Sequence, residues 1–410
     1  MFRRHLQNRI EESLQDTPVV FLRGPRQSGK TTLVRSMSTE GTLGYYVTLD
    51  DAAVLNSALA DPDGFVASLP QRAVIDEVQR APELFRAIKA SVDRDRTPGR
   101  LLLTGSANAL ALPMAADSLA GRMEIFTLWP LSQGELSAVR ETFVDSVFAS
   151  TWTRPDVTGE PWTALVERML RGGYAEVVAR KSETRRSDWF AAYVTTILER
   201  DIRDIANVHG LRDLPLLLRL AATRAGSLLN LGDISRDAGT AHSTLRRYWA
   251  LLETVFLVRT VPAWAGSPSA RLVKAPKVFL GDTGLLCHLL GLSADRLSGG
   301  DLMAGAVLEN LVAMELIKQA EWSATRPAIL HYRTHTQDEV DFLLENRRGD
   351  VVGIEVKKTV SPGEGDFRGL RAVQAKLGKR FLRGILLYGG NQCLSFGEDL
   401  WAVPIPAIWS

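Results

Sequence analysis

Residues 24–31 read Gly24-Pro25-Arg26-Gln27-Ser28-Gly29-Lys30-Thr31, two glycines with four residues between them, followed by Lys-Thr. That spacing suits a phosphate cradle. Backbone amides must approach phosphate oxygens closely, in conformations that a side chain would block. Lys30 is long enough to reach β- and γ-phosphates, and the Thr31 hydroxyl can ligate Mg²⁺, with Thr32 beside it. A helix starting at Lys30 would aim its positive dipole end at the same anion. Further along, Val74-Ile75-Asp76-Glu77 sets two acids at the end of an apolar run. Asp76 is placed to hold Mg²⁺, directly or through water, and Glu77 to polarise an attacking water. Ser106, after the 101–104 apolar run, is a candidate sensor of the γ-phosphate, with Thr104 as the competing choice. Arg122 is either an arginine finger offered to a neighbouring subunit or a salt-bridged surface arginine. The expected ligands are ATP and Mg²⁺, and the expected reaction is NTP hydrolysis.

A second set of acids lies near the C-terminus. Glu339-Val340-Asp341-Phe342-Leu343-Leu344-Glu345 alternates, so Val340, Phe342 and Leu344 share one strand face and Asp341 takes the other. In Ile354-Glu355-Val356-Lys357 the same logic puts Glu355 and Lys357 on a common face. A turn over 346–350 would make the two strands a hairpin and bring Asp341, Glu355 and Lys357 together. Two carboxylates can hold Mg²⁺ or Mn²⁺, and an adjacent ammonium can activate water or stabilise a phosphorane. Glu309, on the preceding helix, is a fourth candidate. A solvated strand face is the plainer explanation of the same residues.

Between the two lies Leu231-Gly232-Asp233-Ile234-Ser235-Arg236-Asp237-Ala238-Gly239, followed by an amphipathic run over 242–252. The pattern predicts a helix-turn-helix whose second helix buries Leu245, Trp249 and Leu252 and exposes Arg246 and Arg247. Strands over 255–261 and 278–280 would form a wing with Arg271, Lys274 and Lys277 near its tip. DNA contact follows from that reading. A lid or a protein-docking module is the alternative.

The elements that must position these groups are legible as alternating strands and helices. Strands are expected at 19–23, 45–49, 73–75 and 101–104, and helices over 3–16, from Lys30 to Met37, and over 82–92 with Pro82 at its start. That alternation implies a parallel sheet covered on both faces. Pro130, Gly134, Pro155, Gly159 and Pro161 break the pattern. A mostly helical stretch follows, over 162–255, and then a basic hairpin over 256–282. From 300 a new α/β unit is predicted: a helix over 305–319, strands at 329–333, 339–345 and 351–356, a helix over 366–376 and a strand at 383–388. The proposed domains are 1–140, 141–225, 226–295 and 300–410. A length of 410 residues suits several domains. A net charge of +2 restricts any nucleic-acid contact to local basic patches. The two cysteines, Cys287 and Cys393, have neither zinc nor disulfide spacing, and a reducing cytoplasm is expected. No 18-residue apolar run predicts a membrane span.

These motifs resemble a large prokaryotic family of AAA-type ATPases with a C-terminal domain of uncharacterised function. The resemblance runs along nearly the whole chain. Besides the stretch from Phe21 to Thr31, it rests on Ile75-Asp76-Glu77-Val78-Gln79, Leu103-Thr104-Gly105-Ser106, Leu119-Ala120-Gly121-Arg122, Leu198-Glu199-Arg200-Asp201-Ile202, Asp282-Thr283-Gly284-Leu285 and Glu309-Asn310-Leu311-Val312. The tail resembles the PD-(D/E)xK nuclease superfamily core, with Val340 where that motif usually carries proline. The resemblance implies a AAA-type core, a winged-helix middle and a restriction-endonuclease-like α/β tail. Two readings follow. One is a DNA-acting, oligomeric ATPase with a metal-dependent nuclease domain. The other is an ATP-gated signalling or scaffold switch whose tail only binds DNA or protein.

Overall fold

Short runs of valine, leucine and isoleucine become the strands of a five-stranded parallel sheet: β1 (Val19–Arg23), β2 (Tyr45–Thr48), β3 (Ala73–Asp76), β4 (Leu101–Gly105) and β5 (Met123–Thr127). The computed structural model describes residues 2–39, 41, 43–106, 119–205, 213–267, 271, 273–334 and 338–410. The strand order is β2-β3-β4-β1-β5, every neighbouring pair running parallel. Central strands are buried on both faces, and so carry unbroken apolar runs. Val19, Phe21, Ile75, Leu101 and Leu103 join Phe85 and Ile88 of the Leu84–Arg94 helix in one core. This sheet belongs to a unit formed by Arg3–Leu131 and Thr254–Phe256.

The predicted strands are present within a residue or two of their expected ends. β5 was not anticipated, because it is an edge strand with a half-exposed start and Ile125 turned to solvent. It lacks the apolar run that marks its neighbours. The first helix is shorter than predicted, Gln7–Ser13. The helix expected to start at Pro82 begins instead at Leu84, after a 3₁₀ turn over Val78–Arg80.

The second unit comprises mainly Ser132–Glu253 and Leu257–Ser410. Its first part is helical, including Trp162–Arg171 and Glu183–Thr196. Two further helices, Leu231–Ala238 and His242–Thr254, follow the expected helix-turn-helix spacing. Asn230 caps the first by accepting from the amides of Gly232 and Asp233, and Gly239 ends it in a left-handed conformation. β6 (Val258–Val261) and β7 (Lys277–Leu280) then pair antiparallel.

The tail builds a six-stranded sheet from β8 (Ala328–Arg333), β9 (Glu339–Glu345), β10 (Val351–Lys357), β11 (Phe381–Tyr388), β12 (Leu394–Ser395) and β13 (Leu400–Pro404). Its order is β12-β13-β11-β10-β9-β8. β8, β9 and β10 are antiparallel neighbours, while β10, β11 and β13 run parallel. The Arg368–Leu377 helix packs on β9, β10 and β11, and the Ala304–Trp322 helix packs on β7, β8 and β10. β12 and β13 escaped the sequence reading, the first for its two-residue length and the second for ending on Pro404. Among the described residues, no helix is long and apolar enough to cross a membrane.

Candidate functional site

β1 delivers the chain into the Gly24–Lys30 loop at its C-terminal end, and the helix Lys30–Thr39 leaves it. Gly24 is required twice over. Its φ is +157°, and a Cβ there would lie 2.2 Å from the Leu128 carbonyl oxygen. Gly29, at φ +91°, turns the chain into the helix. Pro25 and Ser28 are buried, Arg26 and Gly29 half-buried, and Gln27 and Thr32 exposed. The Lys30 ammonium is 5% exposed and donates to the carbonyls of Gly24 at 3.0 Å and Pro25 at 2.9 Å. Arg4 braces the loop from outside the motif, donating to the Ser28 carbonyl at 2.6 Å and to that of Trp129 at 2.7 Å.

Strand order explains the rest. β4 stands between β1 and β3, so the end of β4 lies between the phosphate loop and the acids. Asp76 ends β3, is 1% exposed, and collects three hydroxyls. Thr31 donates to its Oδ2 at 2.9 Å, Tyr46 donates to the same oxygen at 2.7 Å, and Thr104 donates to Oδ1. Burial, and then donation to Asp76, raises the Tyr46 phenol above its ordinary range. The Arg35 guanidinium lies 4.8 Å from the Tyr46 ring centroid. Glu77 takes a left-handed conformation at φ +60°, its amide donates to Thr104 Oγ1 at 3.1 Å, and its carboxylate accepts from Gln79. A non-glycine residue in that region is held there by its surroundings.

Of the two sensor candidates, Thr104 is the residue that touches both acids. Ser106 lies two residues on, half-buried. Arg122 pairs with Asp93 at 2.6 Å and also donates to the Ala120 carbonyl at 3.1 Å. It immediately precedes β5, at the sheet edge opposite the loop that follows β1. It therefore cannot serve its own chain's phosphate site. Sequence reasoning missed Tyr46 and Arg4, which no motif marks, and gave no role to Gln79 although it closes the Ile75–Gln79 motif.

The C-terminal acids do converge, as the hairpin reading expects. β9 and β10 pair from Val351↔Glu345 to Ile354↔Phe342. Beyond that point side chains continue the ladder. Asp341 Oδ2 accepts from the Val356 amide at 3.0 Å, and Glu355 Oε2 accepts from the Asp341 amide at 3.3 Å. Lys357 donates to Glu355 Oε1 at 2.7 Å. The cluster has a centre that the sequence reading placed elsewhere. Lys277, expected on a DNA-facing wing tip, is 1% exposed and its ammonium lies among carboxylates. It contacts Glu309 Oε1 at 2.9 Å, Glu339 Oε1 at 2.9 Å and Asp341 Oδ1 at 3.0 Å. A phosphate backbone cannot reach an ammonium so enclosed. Arg271 is also engaged, bidentate on Glu345 at 2.5 and 3.1 Å. Arg246, Arg247 and Lys274 are exposed, as expected.

Electrostatics follow the burial. Burial, then the Asp341 charge, pushes Glu309 up to about 8 and Glu355 up to about 7. Burial opposes the Lys277 charge, but Asp341, Glu309 and Glu339 outweigh it and raise its pKa above the ordinary value. The four carboxylate oxygens of Asp341 and Glu355 each already accept from a protein N–H. Among the described residues, no group of three or more His, Cys, Asp or Glu is arranged to hold a metal ion. As arranged, these residues do not fit the Mg²⁺ or Mn²⁺ that the motif suggested. At the phosphate loop the donors differ: Asp76 accepts from neutral hydroxyls rather than from lysine ammonium groups, and the Thr31 hydroxyl and Asp76 carboxylate stand side by side beside the cradle, a pair that suits Mg²⁺ with phosphate ligands.

Residues 16–137 match the AAA domain family, and residues 163–296 and 304–408 match two domains of unknown function, DUF8612 and DUF4143. The uncharacterised protein Rv2008c of Mycobacterium tuberculosis (strain ATCC 25618 / H37Rv) is 31% identical over 99% of this chain and 84% of its own length. Uncharacterised protein Mb2031c of Mycobacterium bovis (strain ATCC BAA-935 / AF2122/97) matches to the same extent. Among solved structures, the Walker-type ATPase PABY2304 of Pyrococcus abyssi is 14% identical, with a TM-score of 0.44 over 71% of this chain and 96% of that one. The chain belongs to the same family as these mycobacterial proteins, and within it carries an AAA-type P-loop ATPase domain followed at its C-terminal end by a DUF4143 domain.

Proposed function

We propose that this chain hydrolyses ATP with Mg²⁺ and uses the nucleotide to switch a DNA-contacting middle segment, without itself cutting DNA. The observation that carries the ATPase reading is the shared carboxylate of Asp76, reached by Thr31 from the loop, Thr104 from β4 and Tyr46 from β2. Thr31 and Asp76 are the groups that would hold Mg²⁺, which supplies charge neutralisation between the phosphates when bound. Lys30 donates to the Gly24 and Pro25 carbonyls and would exchange those bonds for phosphate oxygens. Glu77 orients and polarises the attacking water, its backbone fixed by Thr104. Phosphate release with Mg²⁺ and ATP tests this. Wild type is expected to turn over, and Lys30→Ala and Asp76→Asn to be inactive. Turnover that survives both substitutions would place hydrolysis elsewhere.

DNA contact is supported by the exposed Arg246 and Arg247 on the second helix of the helix-turn-helix pair, with Lys274 also exposed. Contacts of this kind to phosphates release counterions. Arg246→Ala with Arg247→Ala should flatten the dependence of duplex binding on salt concentration by about two units of log–log slope. An unchanged slope would remove this helix from the interface.

A further inference from the structure

We infer that the carboxylate cluster of the C-terminal domain is a cation site filled by the chain's own Lys277, and that the seated ammonium excludes a divalent metal. An ammonium has three donors and no acceptor. Here three acceptors from three residues stand at 2.9, 2.9 and 3.0 Å. Every donor has a partner, so the ammonium is saturated where it sits. A magnesium ion shared by these carboxylates would need oxygens at about 2.0–2.1 Å in octahedral array, over the volume that Nζ fills. Metal and ammonium are therefore alternatives.

The lysine is also held from behind. Its backbone is bracketed by Val261 on one side and an isolated bridge to Leu228 on the other. At the far end of β7, Asn310 accepts from the Leu280 amide at 2.8 Å and donates to the Leu280 carbonyl at 3.2 Å. Glu309 and Asn310, adjacent on one helix, thus clamp both ends of the strand that carries Lys277. The far side of Glu309 is closed as well. Gly226, at φ +73°, lies so near that a Cβ would stand 2.8 Å from Glu309 Oε2. The cluster keeps its acids but spends them on an internal cation that ties β7 to β9 and to the Ala304–Trp322 helix.

The test is Mn²⁺ binding followed by electron paramagnetic resonance, on nucleotide-free full-length protein in an Asp76→Asn background so that the phosphate loop contributes no site. The protein with Lys277 intact is expected to bind no Mn²⁺ that depends on Asp341. Lys277→Met is expected to gain one Mn²⁺ per chain, lost again when Asp341→Asn is added. Lys277→Arg, which keeps a cation, is expected to gain none. A Mn²⁺ ion bound with Lys277 in place and lost in Asp341→Asn would overturn the inference, and that arm stands even if Lys277→Met does not fold. A folded Lys277→Met that gains no site would overturn it equally.

Discussion

Two buried lysines, Lys30 and Lys277, sit close to carboxylates on strands, yet they are held in opposite ways. Lys30 rests on two main-chain carbonyls, while the nearby Asp76 is engaged by hydroxyls. Lys277 is ion-paired to three acids. A lysine on neutral acceptors can be recruited by an arriving phosphate, because charge-assisted bonds to phosphate are about twice as strong as neutral ones. A lysine that pairs with three clustered acids cannot leave without exposing their mutual repulsion. The first arrangement is built for a ligand and the second for the chain itself.

The largest effect expected from this contrast is on stability. Lys277→Met should destabilise the second unit by roughly 3–5 kcal/mol in urea unfolding, because it strands the buried Asp341 beside Glu309 and Glu339. Lys30→Ala, which removes bonds to the Gly24 and Pro25 carbonyls, should cost far less stability. A similar loss in both variants would erase the distinction. On activity the order reverses. Lys30→Ala should lower kcat by on the order of 10²–10³, while Lys277→Arg should leave ATP turnover per folded chain near wild type.

Thr104→Val comes next. It leaves Asp76 Oδ1 and the Glu77 amide without their hydroxyl, a loss of about 1–3 kcal/mol that should emerge as a drop in kcat/KM of roughly 10-fold or more. Ser106→Ala should be milder. If Ser106→Ala proved the more damaging of the two, the sensor role would pass to Ser106.

The pH dependence sharpens the contrast, because several carboxyls of the second unit have raised pKa values. Glu141 is pushed up to about 9 by burial and by Glu315, Glu309 to about 8 and Glu355 to about 7. Each keeps in the folded state a proton that the unfolded chain releases near pH 4.5. Its contribution is complete below that value and is lost as pH rises towards the folded pKa. His331 opposes them only at lower pH, since burial depresses it to about 4 and its contribution is lost as pH falls below 6.5. Between pH 6.5 and 9 the carboxyls therefore decide the sign. Stability of this unit should fall as pH rises, by on the order of 1 kcal/mol per pH unit for each carboxyl forced to ionise. Removing Lys277 should steepen the fall. A flat profile over that window would contradict the burial assigned to these acids.

The smallest expected effect is Tyr46→Phe, which removes one hydroxyl from Asp76 Oδ2 and should reduce kcat/KM by about 3–10-fold. An unchanged rate would make the phenol incidental to turnover.

Sequence legibility followed the distance along the chain between partners. The phosphate loop lies within eight consecutive residues, so its type and spacing are visible directly. Asp76 and Glu77 are visible because an apolar strand ends on them. Tyr46 and Arg4 are not, since they meet Asp76 and the loop only through sheet register and packing. Asp341, Glu355 and Lys357 are legible as alternation in two adjacent strands. Lys277 misled, because a lone cation reads as surface until its partners, 32 to 64 residues further on, are seen in space. The one local sign was its position at the head of an apolar strand, directly after Pro276. Edge strands β5 and β12 lacked the apolar runs that betray buried ones.

Counting bound Mn²⁺ on the wild-type chain with and without a non-hydrolysable ATP analogue tests the central claim most directly. One ion per chain is predicted with the analogue, lost in Asp76→Asn, and none without it. No nucleotide-dependent ion, or one that persists in Asp76→Asn, would contradict the assignment of the phosphate loop and Asp76 as the metal–nucleotide site.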